Sequence, residues 1–272
     1  MIGNLTYIEI PLLILEETHK QGHILANLNL SNLNALVKDR MEPFFHEILS
    51  SFENQIKSIY IIGSAVTNDF DTKTTDVDSL IVLKEKNLDI FDFIAPIGKK
   101  YGKRKIRAPI IMTDDYVRSS LEVFPIQFLN MQKINALVYG DDVLNGIKIE
   151  KTDLRLVCER ELKGWIQNLS QAYIKSLGDD RVIKGLFVSF LSSYIPIFRA
   201  ILFLYDKEMP KERIAVLDEC EKVLNVRMNV FRELVTIKMG KYKPTHADLK
   251  NDFQQMYNTL DDIAEIIDKF QT

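Results

Sequence analysis

Cysteine is scarce in this chain. Cys158 and Cys220 are the only two, far apart in sequence. That count and spacing exclude a disulfide framework and a cysteine-based metal site. Histidine is nearly as rare, with His19, His23, His46 and His246 scattered. His19 and His23 stand four apart, but no metalloprotease glutamate pattern joins them. Excess positive charge is also lacking: the formal net charge is -3, whereas a dedicated nucleic-acid binder usually carries a surplus of Lys and Arg. Nucleic acid is therefore not an expected partner. No run reaches the roughly 18 apolar residues of a membrane span. The nearest, around residues 186–205, contains Ser189, Ser192, Ser193, Pro196 and Arg199 and reads as a buried helix. The start, MIGNLTYIEIPLLILEE, has an apolar run with no basic residue before it and acidic residues after it, unlike a secretory signal. The expectation is a cytoplasmic protein with no membrane partner.

What is present is a globular composition. The 272 residues are 46% hydrophobic and 27% charged, enough for one large domain or two modest ones. The pattern divides near Gly146. Residues 1–146 mix short apolar runs with helical spacing. Residues 147–272 carry long helical patterns at 152–176, 180–206 and 245–270, with shorter helices expected in 211–239. Gly178 separates the first two, and Pro210 and Pro244 stand where helices can start. This second part reads as a helical bundle.

In the first part, Ile8–Leu15 fits an early strand or a short helix. A helix is expected over 31–56, capped by Ser31 or Asn32. Ile59–Ile62 and Val77–Leu83 read as buried strands, Asp89–Lys100 as a helix and Ile106–Met112 as a third strand. Leu121–Leu129 reads as a fourth, with Pro125 awkward inside a ladder. Strands alternating with helices imply an α/β or α+β domain.

The informative stretch is IYIIGSAVTNDFDTKTTDVDSLIVL, residues 59–83. One apolar strand runs into Gly63-Ser64, and Asp76-Val77-Asp78 leads into another. Residues two apart in a strand share a face, so Asp76 and Asp78 project together. Two adjacent carboxylates repel, and a divalent cation with a taste for oxygen, magnesium or manganese, relieves that repulsion. A residue without Cβ at Gly63 lets backbone amides approach a phosphate, and the Ser64 hydroxyl can bond a phosphate oxygen. A lone D-x-D or Gly-Ser turn is ordinary; both together, flanked by buried strands, are more specific. A third carboxylate is expected nearby. Glu122, at the start of the fourth strand, is preferred to Asp114 and Asp115, as metal ligand or general base.

Gly63-Ser64-Ala65-Val66 followed by Asp76-Val77-Asp78 resembles the signature of the DNA polymerase beta-like nucleotidyltransferase superfamily. The likeness is nearest to streptomycin/spectinomycin adenylyltransferases and kanamycin nucleotidyltransferase-type enzymes, and covers residues 32–145. Leu121-Glu122-Val123 and Leu137-Val138-Tyr139-Gly140-Asp141-Asp142 resemble further segments of such enzymes. The loop Thr67–Thr75 lacks the second glycine of many members, and Ser79 stands where an apolar residue is usual. The resemblance implies a small mixed sheet flanked by helices, followed by a helical domain for acceptor recognition. It implies phosphate binding at Gly63 and Ser64, Mg2+ or Mn2+ on Asp76, Asp78 and Glu122, and ATP or another NTP as substrate. The expected reaction transfers a nucleoside monophosphate to a hydroxyl of a small-molecule acceptor, releasing pyrophosphate. A protein acceptor, as in toxin-antitoxin systems, and a non-catalytic nucleotide-binding scaffold are the alternatives.

Elsewhere, GKKYGKRKIR (98–107) reads as a solvated connection in preference to a phosphate clamp. Trp165 reads as packing. Arg155, Glu159, Arg160, Glu161 and Lys163 form a charged stretch that either lines the cleft or makes paired surface charges, and spacing alone does not decide between them. Arg199, set among apolar residues, is expected either buried against a carboxylate or reaching the cleft.

Overall fold

In the computed structural model, residues 27–271 are described. The expected early element at Ile8–Leu15 and the pair His19 and His23 lie outside them. Helix α1 spans Ala35–Phe52. Its cap is Asn34, whose side chain accepts from the Leu36 N–H at 2.9 Å, later in the chain than the expected Ser31 or Asn32. Strand β1 (Ile56–Ile62) runs into a single 3-10 turn, Gly63–Val66. Strand β2 spans Asp78–Leu83, helix α2 Asp89–Gly102 and strand β3 Ile110–Thr113. The third strand is shorter than expected. Pro109 has no N–H for a ladder, and Ile106 makes only an isolated parallel bridge with Val77.

The expected strand Leu121–Leu129 does not form. After the short helix α3 (Asp114–Ser119), residues 121–124 turn, and Pro125 opens helix α4 (Pro125–Lys133). Proline at the first helical position is preorganised for a helix and forfeits no ladder bond. The fourth strand is instead β4, Asn135–Gly140. The sheet has the order β3-β2-β1-β4. Strand β1 is antiparallel to β2 and β4, and β2 is parallel to β3.

Five helices follow: α5 (Lys151–Lys175), α6 (Asp180–Leu204), α7 (Arg213–Leu224), α8 (Asn229–Lys238) and α9 (His246–Asp268). Thr245 and Asp248 form a capping box that starts α9, just after Pro244. The fold class is as expected: a small mixed sheet, then helices.

The alternation of β1 and β2 decides what each sheet face buries. Ile59, Ile61, Ile81 and Leu83 pack on α1 and α2, with Phe44, Phe45 and Tyr101. Tyr60, Ile62, Leu80 and Val82 face the other way and join the core of the helical part. The sheet and the helices therefore share one continuous apolar layer. Helix α6 is long and apolar enough to cross a membrane by length and composition. Here it lies at the centre of the helices and buries Ile183, Phe187, Leu191, Tyr194 and Phe198. Burying each large side chain is worth about 1.5–3 kcal/mol. Asn130 of α4 donates to the Pro196 carbonyl of α6 at 2.9 Å, locking the short helix onto the long one.

Candidate active site

The register of β1 and β2 builds the site. Ile62 pairs with Asp78, so the turn that follows Ile62 lies beside that carboxylate. Gly63 has φ +71, and a Cβ built there would meet Asp78 Oδ2 at 3.8 Å. The Gly63–Ser64 turn and the Asp76-Val77-Asp78 segment are thus brought to one end of the sheet, as expected from their flanking strands. Val77 is fully buried, while Asp76 and Asp78 are part-exposed.

Arg107 joins them. Its Nη1 lies 2.8 Å from Asp78 Oδ1 and its Nη2 lies 3.6 Å from Asp76 Oδ2. The backbone sets this up. The Val77 N–H donates to the Lys105 carbonyl at 2.8 Å, and the Arg107 N–H donates to the Val77 carbonyl at 3.1 Å. Burial pushes the Asp78 carboxyl above its usual value, opposed by Arg107 and reinforced by Asp76. Arg107 belongs to the basic stretch whose expected role was a solvated connection. Lys100, paired with Glu47, and Arg104, paired with Asp39, fit that expectation; Arg107 is as exposed as Lys100 but is turned onto the Asp76–Asp78 pair.

Two cavities of about 530 and 500 Å³ meet at Gly63, Asp78, Arg107, Pro196 and Arg199, which line both. The second is lined by Ser64, Thr67, Thr74, Thr75 and Asp76 on the sheet side and by Arg199, Arg213 and Lys238 from the helices. Burial and the neighbouring Arg213 hold the Lys238 ammonium below its usual value. Arg199 is buried, and burial pulls it down to about 10. The first cavity opens between β2, α4, α5 and α6. Its polar lining includes Gln127, Asn130, Glu161 and Ser193, beside Trp165. Trp165 is 8% exposed and packs edge-on to Tyr194 at 4.3 Å, so it is a core residue with one edge on the cavity.

Glu122 is not brought to this place. It sits in the exposed turn 121–124 and lines neither cavity. The strand that was to aim it at the sheet end is replaced by α4. Asp114 is bound to Lys57 and Arg118; the Lys57 bond, above all, holds its carboxyl below the usual range. Glu161 is the glutamate that lines a cavity with Asp78. It was one of several charged residues on its helix with no local mark to single it out. The helix-borne Arg213 and Lys238 carried no sequence signal either.

Asp76 and Asp78 fit a magnesium-like ion only in part. Their two carboxylates converge on a cationic group, so a positive charge is accommodated between them. Among the described residues no cluster of three or more metal-ligating side chains exists. Such a pair suits a hard cation whose remaining positions come from substrate phosphates and water.

The fold is similar to that of a spectinomycin adenyltransferase, AAD(9) from Enterococcus faecialis, in a crystal structure with ATP and spectinomycin. The TM-score is 0.50 and the identity 12%, over 82% of this chain and 99% of that one. At that identity the likeness is one of fold, and the fold is adenyltransferase-like. No family model and no curated protein matches the chain.

Proposed function

We propose that the protein is a metal-dependent nucleotidyltransferase that moves a nucleoside monophosphate, AMP from ATP, to a hydroxyl of a small-molecule acceptor. The observation that carries this reading is the convergence of the Gly63–Ser64 turn with Asp76 and Asp78 where two cavities meet. The adenyltransferase-like fold supports it.

In this reading the cavity with three helix-borne cations takes the nucleotide. Ser64 and the amides of its turn bind phosphate oxygens, and Arg213 and Lys238 offset the polyphosphate charge. Asp76 and Asp78 hold Mg2+ or Mn2+, which when bound neutralises charge on the phosphates. The other cavity takes the acceptor. Its volume of about 530 Å³, walled on one side by α4, α5 and α6, is in the range of small-molecule sites. The acceptor hydroxyl oxygen forms a bond to the α-phosphorus. The bond from that phosphorus to the bridging oxygen breaks, and pyrophosphate leaves with the electron pair. Glu161 accepts the hydroxyl proton; the general-base role considered for Glu122 passes to it. Residues 1–146 supply the phosphate-binding turn and the carboxylate pair, while 147–272 supply the cations of the nucleotide cavity and, with α4, wall the acceptor side.

A nucleotide-binding protein without transfer is the second reading. It is favoured by the absence of a third carboxylate beside Asp76 and Asp78 among the described residues.

The test uses α-labelled ATP with Mg2+ or Mn2+ and host lysate split into metabolites, protein and RNA. The Asp76→Ala/Asp78→Ala double variant is the control. Label in the metabolite fraction, absent with the variant, supports the reading. Label in polypeptide moves the acceptor to protein. Nucleotide binding that the variant abolishes, without transfer to any fraction, favours the second reading.

A further inference from the structure

The Asp76–Asp78 pair already has a cation of its own. Residues 105–107 run parallel beside Asp76-Val77-Asp78, tied by the two Val77 backbone bonds and the Val77–Ile106 bridge. That alignment delivers the Arg107 guanidinium to both carboxylates. One step further along, β3 pairs Ile110 with Leu80. Leu80 shares the sheet face of Asp78, so the next strand presents an isoleucine there. Ile110 lines the cavity with Asp78. The chain thus assembles two carboxylates and one guanidinium, a set with one net negative charge, in place of three carboxylates.

A guanidinium and a divalent cation compete for the same carboxylate oxygens. Arg107 can also leave them: its side chain is 62% exposed, so little packing holds it. Its planar fork matches phosphate as well as carboxylate, and the phosphate-side cavity is lined by Arg107 itself.

We propose that Arg107 is a resident counter-cation that closes Asp76 and Asp78 to free divalent metal and opens them when nucleotide phosphates draw its guanidinium away. Metal and nucleotide binding are then coupled through one side chain. This rests on the reading that Asp76 and Asp78 hold the metal.

The test is titration of the purified full chain with Mn2+, with and without α,β-methylene-ATP, following free Mn2+ by electron paramagnetic resonance and subtracting the Mn2+ that the analogue takes up without protein. The wild type is expected to bind Mn2+ weakly alone and on the order of tenfold or more tightly with the analogue. Arg107→Gln is expected to tighten nucleotide-free Mn2+ binding by a similar factor and to reduce its dependence on the analogue. Arg107→Lys, which keeps the charge but not the fork that reaches both carboxylates, is expected to fall between wild type and Arg107→Gln. Nucleotide-free affinity unchanged in Arg107→Gln, or wild-type affinity indifferent to the analogue, overturns the counter-cation role while leaving the metal site standing. Failure of the wild type to take Mn2+ under either condition, or binding that survives Asp78→Asn, overturns the metal reading itself.

Discussion

Asp69 caps a helix that begins 144 residues later in the chain: its Oδ2 accepts from the Arg213 backbone N–H at 2.7 Å. Arg213 is the first residue of α7, and the N-cap residue Glu212 makes no capping bond with its own side chain. Nearby, Asn68 donates to Glu212 at 3.0 Å. The loop between Gly63 and Asp76 is therefore fastened to the helices across the phosphate-side cavity. A carboxylate at a helix start satisfies an orphan N–H and meets the positive end of the helix dipole. Asp69→Ala is expected to cost about 1 kcal/mol in urea unfolding. It is also expected to weaken ATP binding, because the loop that carries Thr67 loses its tether.

Gly63 and Gly140 both have positive φ, +71 and +79, yet their replacement by alanine is expected to differ in scale. At Gly63 the added Cβ meets only Asp78 Oδ2, at an ordinary 3.8 Å. The cost is then the left-handed backbone alone, roughly 1–2 kcal/mol. At Gly140 the Cβ would stand 2.0 Å from the Lys57 carbonyl oxygen, an overlap with the backbone of β1. Relief requires β4 to pull off the sheet. Gly63→Ala is expected to fold with a modest loss of stability, and Gly140→Ala to unfold or fail to accumulate. Circular dichroism melts of the two variants decide it.

The sheet end was legible in the sequence because its signals are local. Gly63 stops an apolar strand, and the alternation about Val77 places two carboxylates on one face, so the Ile62–Asp78 register only had to bring the two together. Glu122 was misplaced for an equally local reason. Leu121–Leu129 is apolar enough for a strand, but Pro125 fits the first position of a helix better than the interior of a ladder. Spacing of Ile126, Leu129 and Asn130 would have supported α4. Arg107 was hidden because its role depends on a parallel bridge between Val77 and Ile106, which no window of sequence contains. Glu161 stands among charged neighbours, and only the packing of α5 on α4 and α6 selects it.

The contribution of Asp252 to stability is expected to fall as pH rises through the acid-to-neutral range. Asp252 of α9 is buried, and its Oδ2 has no hydrogen-bond partner among the described residues. Burial, with repulsion from Glu233 and Asp248, pushes its carboxyl up to about 7. In the unfolded chain an aspartate titrates near 3.9, roughly. Between those values the unfolded state releases its proton while the native state keeps it, so rising pH favours unfolding until the native group also ionises. Asp252→Asn removes this contribution. Relative to the parent, the variant is expected to gain stability progressively from about pH 4 to pH 7, by no more than about 4 kcal/mol, and to gain little more above that. Urea midpoints at pH 4.5 and 8 measure it; an equal difference from the parent at both would mean Asp252 is not the titrating group.

Arg199 joins a structural duty to the cavity it lines. Its Nε donates to the Pro210 carbonyl at 3.0 Å, its Nη2 to the Lys211 carbonyl at 2.5 Å and its Nη1 to Asn130 Oδ1 at 3.3 Å. These bonds hold the connection between α6 and α7 against α4. Although burial lowers it to about 10, the group stays charged at neutral pH. Arg199→Met keeps much of the apolar stem and loses all three donors. It is expected to destabilise the fold by about 2–3 kcal/mol, since charge-assisted bonds are the stronger kind. Arg199→Lys keeps the charge but cannot span the three acceptors. If Arg199 serves the nucleotide only as a buried charge, the Lys variant is expected to retain ATP affinity while sharing part of the stability loss. If its place in the cavity depends on the anchored loop, both variants are expected to lose affinity in proportion to stability. Parallel unfolding and ATP titrations on the two variants separate the outcomes.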